Sequence, residues 1–174
     1  MDSRPDTERH IQTVRRGLFL VVTELTRRAQ AHDESKLRSP EVEIFDRFTS
    51  KLAKLKYSTP EYSACLKELG PALDHHYANN DHHPEFFGRH VCVQCGLDDR
   101  TDPCTCGGPR RPRVDDMNLW QIVEMLVDWK AAGLRHGGNL ISSIEANQER
   151  FGYSDEFRQI LLNSVPLIDE ITQF

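Results

Sequence analysis

Residues 32–36, His-Asp-Glu-Ser-Lys, set an imidazole beside a carboxylate. Neighbouring His32 and Asp33 both reach one ion when the backbone turns there. That donor pair suits zinc, iron, manganese and similar divalent metals. Lys36 then sits nearby as a positive charge for an anionic substrate. Taken alone, the dipeptide fits equally well a helix-terminal histidine followed by a capping aspartate. A denser group of donors follows in residues 74–85, DHHYANNDHHPE, where two His-His pairs flank a short polar spacer. Four imidazoles are difficult for a core to satisfy with hydrogen bonds. Beside a carboxylate they point to a site for more than one metal, with a surface histidine cluster as the plainer alternative. Glu124 and Asp128, in EMLVDW, lie four residues apart and so share a helical face. Both flank the apolar stripe, where a carboxylate reaches a buried metal. The alternative is a solvated pair tied to Lys130 or Arg135.

These groups need helices to position them, and the apolar spacing supplies helices. Residues 7–31 carry Ile11, Val14, Leu18, Val21, Val22 and Leu25 at three- and four-residue steps, with His10 on the same stripe. Ser39-Pro40-Glu41 is a helix start, followed by the apolar face Ile44, Phe45, Phe48, Leu52 and Leu55. Thr59-Pro60-Glu61 repeats the signal for a helix through Leu69, with Cys65 as a core residue. Gly70-Pro71 punctuates the chain before a helix over 71–79. Further helices are expected over 116–135, with Leu119, Ile122, Val123, Leu126 and Val127 as the stripe and Gly137-Gly138 as the stop, then over 140–151 and from Ser154 onward. No repeat or β-hairpin signature is visible. The expectation is one all-α domain, 1–174, of about six or seven helices, with an inserted knob at 88–114.

The order His, His-Asp, His, His, Asp resembles the HD superfamily of metal-dependent phosphohydrolases. HDESK is similar to the HDxGK motif of the HD-GYP cyclic-dinucleotide phosphodiesterases, with Ser35 in place of glycine. The chain lacks the GYP motif, which disfavours cyclic dinucleotides. More closely, it resembles a family of small bacterial and phage proteins without an assigned activity. That family shows HxxxV (His10, Val14), HDxSK (His32 to Lys36, then Glu41), HHxxxNxHH (His75 to His83, with Asn80) and EMxxDW (Glu124 to Trp129). The resemblance implies an HD-like bundle. It implies His10, His32, Asp33 and Asp128 as shared ligands, with His76 and His83 completing a second position and His82 nearly as good as His83. Lys36, Glu41 and Glu124 become candidate catalytic or orienting groups, and Lys36 and Asn80 candidate substrate contacts. His10 meets a physical condition. It precedes His32 by 22 positions, roughly 33 Å along an unbroken helix, so a shared ion requires a break near Gly17 or Val21-Val22-Thr23.

The knob contains Cys92-Val-Gln-Cys95 and Cys104-Thr-Cys106, followed by Gly107-Gly108. Paired cysteine turns hold zinc in a tetrahedron, and a segment without a hydrophobic core needs such a staple. The pattern resembles a zinc ribbon with CxC replacing the second CxxC, and His90 is the reserve fourth ligand. Structural zinc is therefore expected here. At the histidine site one or two divalent ions are expected: manganese, iron, cobalt, nickel or zinc, with magnesium also compatible.

Composition excludes some functions. Apolar residues make up 38% and charged residues 28% of 174, which suits a globular chain. A net charge of −5 disfavours a general nucleic-acid binder, which needs a basic surface, although Arg110, Arg111 and Arg113 form a local basic group. The polar N-terminus lacks a signal core, and the longest apolar run, residues 18–22, is too short to cross a bilayer. No lipidation signal is visible. A cytoplasmic enzyme acting on a nucleotide or other small phosphoester, with homo-oligomerisation left open, is the expectation. The rivals are a mixed-valence diiron oxygenase on the same ligands and a non-catalytic nucleotide- or partner-binding protein.

Overall fold

The computed structural model describes residues 2–52, 54–55, 59–101 and 104–170. It divides into two compact units, 1–32 and 33–174. The first is one helix, α1 (Arg4–Ala31), with Pro5 in its first turn and His32 as the residue that ends it. Its 28 residues run without a break. The fold-back that would bring His10 to His32 is absent, and the two stand roughly 33 Å apart along the axis. His10 is therefore corrected from a ligand sharing an ion with His32 to a residue on a helix face. A helix-compatible sequence with only one glycine in its middle offers the backbone no reason to turn.

The second unit opens with a short 3-10 turn, Glu34–Leu37, and continues into α2 (Glu41–Leu52), α3 (Pro60–Glu68) and α4 (Gly70–Asn79). The Thr59 side chain accepts from the Tyr62 N–H at 3.2 Å, the expected helix start. Gly70-Pro71 does not interrupt the chain; it begins α4, since proline is tolerated in a first turn. α2, α3 and α4 pack together around Phe48, Cys65 and Leu69, flanked by Ile44, Phe45, Leu55 and Leu73. Cys65 is 1% exposed, as expected of a core residue. The side chain of Leu52 lies outside the described residues.

A second core forms where α5 (Leu119–His136), α6 (Leu140–Phe151) and α7 (Asp155–Ile168) meet. Met125, Leu126, Leu140, Ile144, Phe151 and Leu161 are its most buried side chains. Trp129 stacks on Phe151 at 6.2 Å between ring centroids. The expected α5 stripe is shifted. Leu119 and Val127 are exposed, while Met125 and Trp129 turn inward. The helix begins three residues later than anticipated, at an Asn118/Gln121 capping box.

Between the helices of these two cores in the sequence comes the knob. It contains a two-stranded antiparallel ribbon, β1 (His90–Cys92) and β2 (Arg110–Pro112), with Val91 opposite Arg111. No hairpin was expected, because the connection carries no two-residue turn; it passes through the cysteines instead. The described chain is thus mostly helical, and this ribbon is its one sheet. No described helix is long and apolar enough to cross a membrane.

Candidate metal centre

Five segments of the second unit bring donors to one place. Asp33 takes a left-handed conformation, φ 57°, which aspartate tolerates better than most residues and which often marks a functional turn. α4 supplies His75 and His76 from its last turns. His82 and His83 follow in the turn before the short 3-10 segment Pro84–Phe87. α2 contributes Glu41 at its first residue and α5 contributes Glu124.

His76 Nε2 lies 3.4 Å from Asp33 Oδ1, and His82 Nε2 lies 3.5 Å from the same oxygen. His83 Nε2 is 3.0 Å from His76 Nε2. One donor atom from each of Asp33, His76, His82 and His83 lies within 4.8 Å of every other. Asp33 Oδ2 accepts from Lys36 Nζ at 2.5 Å.

The outer nitrogens of two imidazoles face carboxylates. Glu41 is 0% exposed and divides its oxygens, Oε1 at 2.7 Å from His75 Nδ1 and Oε2 at 3.0 Å from His76 Nδ1. Glu124 Oε1 lies 3.2 Å from His82 Nδ1. Asn80 donates its amide N–H groups to His76 O and Ser35 Oγ, both at 2.8 Å. That arrangement leaves His76 Nδ1 to donate to Glu41, and the proton on Nδ1 makes Nε2 a lone-pair donor. Carboxylate-held imidazoles of this kind are the usual outer shell of a metal site. Burial, then Lys36, lowers His76 to about 4. Burial, then His82, lowers His83 to about 2. Both rings are neutral at pH 7, the form a metal requires.

The donors fit a divalent ion. With metal–nitrogen distances of about 2.0–2.1 Å, a tetrahedron has edges of about 3.3 Å. The separations of 3.0, 3.4 and 3.5 Å match that edge. Three imidazoles and one carboxylate suit zinc, iron, cobalt, nickel or manganese better than magnesium or calcium.

The other residues singled out in the sequence are placed as follows. His82 and His83 both face the cluster, so no choice between them is required. Asp128 lies one turn beyond Glu124 on α5, and a carboxylate oxygen of Asp128 comes within 4.8 Å of Asp33. His32 ends α1 and belongs to the first unit. Asn80, 8% exposed, donates to the His76 carbonyl and so lies against the cluster. Glu41 has no solvent access, and both of its oxygens face histidines. Sequence reasoning missed Gln121. It is buried, and its Nε2 donates to Asp81 Oδ2 at 2.7 Å beside the His82-His83 turn. Its place as the glutamine of a capping box was the available signal.

The cysteines gather separately. Cys92, Cys95, Cys104 and Cys106 each place a sulfur within 4.8 Å of the others. All four are free thiols. The Cys95 N–H lowers Cys92 to about 6. Cys95 moves the other way. The Leu97 N–H favours its thiolate, but the Cys104 sulfur and burial outweigh it and push the thiol up to about 12. His90, the reserve ligand, faces Asp99 with Nδ1 at 3.7 Å from a carboxylate oxygen.

A family model described as "Family of unknown function (DUF5662)" matches residues 1–167. Comparison with curated proteins gave no match, and neither did comparison with solved structures.

Proposed function

The chain belongs to DUF5662, a family of unknown function, and from that premise we propose a metal-dependent phosphohydrolase with an HD-like helical site. The observation that carries this reading is that one nitrogen each of His76, His82 and His83 and an oxygen of Asp33 lie within 4.8 Å of one another, with carboxylates behind two of the rings. Asp33, His76, His82 and His83 would hold the ion. When bound, a divalent ion polarises a phosphoryl oxygen and lowers the pKa of water. Glu41 and Glu124 keep the Nδ1 protons of His76 and His82 in place, which fixes the nitrogens that face inward. Lys36 holds Asp33 Oδ2 at 2.5 Å and is 37% exposed, so its remaining N–H groups are open to a phosphate oxygen. Asp128, which the resemblance implies as a shared ligand together with Asp33, is a further candidate ligand.

A nucleotide or other small phosphoester is the proposed substrate class, and a cytoplasmic setting, which suits free thiols, belongs to the same reading. The finer assignment of the cysteines, a zinc site of structural purpose, is developed below. The test is phosphate release from a panel of nucleotides and aryl phosphates by protein loaded in turn with manganese, cobalt, iron, zinc and magnesium. Activity is expected with at least one transition metal and is expected to fall by 10²-fold or more in Asp33→Ala and His82→Ala. Absence of hydrolysis across the panel, with metal demonstrably bound, would refute the assignment.

A further inference from the structure

We infer that the four knob cysteines bind one thiophilic divalent ion of the zinc class in a single tetrathiolate site, and that this ion is the knob's core. The inference does not depend on the imidazole centre.

The sulfur arrangement carries it. Cys92 Sγ lies 3.4 Å from Cys106 Sγ, Cys106 lies 3.1 Å from Cys104, and Cys104 lies 3.3 Å from Cys95. Disulfides join sulfurs two by two at about 2.05 Å. Here Cys104 and Cys106 each approach two partners, so the contacts run through all four sulfurs and do not resolve into pairs. A tetrahedron with zinc–sulfur bonds of about 2.3 Å has edges of about 3.8 Å. The observed sulfurs form a slightly contracted version of that cage.

The backbone around them is shaped for thiolates. N–H groups of Cys95 and Leu97 point at the sulfurs of Cys92 and Cys95. The Gly108 N–H donates to Cys106 Sγ at 3.4 Å. Each half of the motif ends in Cys-Gly, with Gly96 at φ 72° and Gly107 at φ 71°. This left-handed step lets the following N–H groups turn back toward sulfur, and it favours glycine. Gly108 meets a second demand. A Cβ there would stand 2.9 Å from Cys92 Sγ and 2.8 Å from Gln94 Cβ.

The knob has almost no apolar core to hold it. Its strands are three residues each, and Cys92 is the one buried apolar residue described between His90 and Pro112. Four thiols crowded together repel one another as they ionise, and a divalent cation reverses that penalty. The ordered knob then anchors its surroundings. Arg100 donates to Phe87 O at 2.8 Å, four residues beyond His83, and Arg113 donates to Gly152 O at 3.1 Å.

The test uses full-length protein prepared under a thiol-free reductant. Elemental analysis should find one zinc equivalent that Cys95→Ser/Cys104→Ser lacks and Asp33→Ala retains. Because the cysteine variant can fail to fold, wild-type protein reconstituted with cobalt supplies an independent measurement. The expected spectrum is sulfur-to-cobalt charge transfer of tetrathiolate intensity, lost on adding zinc. Chelation should also make residues 88–114 the first segment cut by protease. A cobalt spectrum without thiolate charge transfer overturns the inference. So does zinc content that is unchanged in the cysteine variant, or mass spectrometry showing the four thiols oxidised in pairs in the reduced preparation.

Discussion

Glu41→Gln is the most discriminating single change in this molecule. The substitution keeps shape and volume but removes a charge from a side chain that is 0% exposed and touches two imidazoles, at 2.7 and 3.0 Å. A hydrogen bond to an ionised partner contributes about 1.5–3 kcal/mol, against about 0.5–1.5 kcal/mol for a neutral one. The hold on His76 therefore weakens by about 1–1.5 kcal/mol, and its Nε2 becomes less basic. Outer-shell changes of this kind lower metal affinity by about 10- to 100-fold. The metal-free fold should respond differently. Burying a carboxylate costs several kcal/mol, and the amide escapes that cost, so metal-free stability should change little or rise. Competition against a chromogenic chelator measures the affinity, and thermal melts of metal-free protein measure the fold. If Glu41→Gln binds zinc or manganese within twofold of wild type, Glu41 does not orient His76. If the loss appears only as a lower melting temperature, Glu41 is a packing residue and the reasoning fails.

Other outcomes follow from the same geometry. His76 and His83 are buried with folded-state values below the ordinary 6.5. Their contribution to the metal-free fold is present above pH about 6.5 and is lost as pH falls toward 4, with a slope approaching about 1.4 kcal/mol per pH unit for each ring; urea titrations at pH 7.5, 6 and 5 check this, and His83→Gln should flatten the slope. Tyr153, 5% exposed, donates to the Ile144 carbonyl, so Tyr153→Phe should cost about 1–2 kcal/mol at neutral pH by chemical denaturation. Burial raises that phenol above its ordinary 10, so wild-type stability should decline above pH about 10 by a component that the phenylalanine variant lacks. Gly108→Ala drives a methyl group into Cys92 Sγ and Gln94; it should weaken zinc retention by the knob at least tenfold in a chelator titration while leaving the imidazole centre loaded.

The sequence made several of these features legible, for physical reasons. Helix starts at Thr59 and Ser154 were readable because an oxygen that caps a first turn is a local choice, independent of the rest of the fold. The grouping of Asp33 with His76, His82 and His83 was foreseeable from the order of motifs that carries the family resemblance. Other features depended on geometry that no spacing encodes. Both imidazoles at the His82-His83 bend face inward, whereas the choice within the other pair is set by the last turn of α4. There His75 turns to Glu41 while His76 turns to Asp33. Glu41 was a candidate catalytic or orienting group by resemblance, and its contact with two rings emerges only when α2 packs on α4. The α5 stripe was misjudged because valine and leucine at its edges are exposed, whereas Met125 and Trp129 fill the contact with α6 and α7. His10 shared a helical stripe with apolar neighbours, and periodicity alone does not say whether a long helix bends.

Gln121 ties two kinds of order together. Its Oε1 accepts from the Asn118 N–H at 2.7 Å, and its Nε2 donates to Asp81 at 2.7 Å. One amide thus closes the first turn of α5 and steadies the loop that presents His82 and His83. Fraying at that helix end and loosening of the loop become a single opening event, so an ion that binds only the closed arrangement must also suppress the fraying. Amide hydrogen exchange at Trp120 and Gln121 should slow when the imidazole centre is loaded, making the start of a helix a remote gauge of metal uptake.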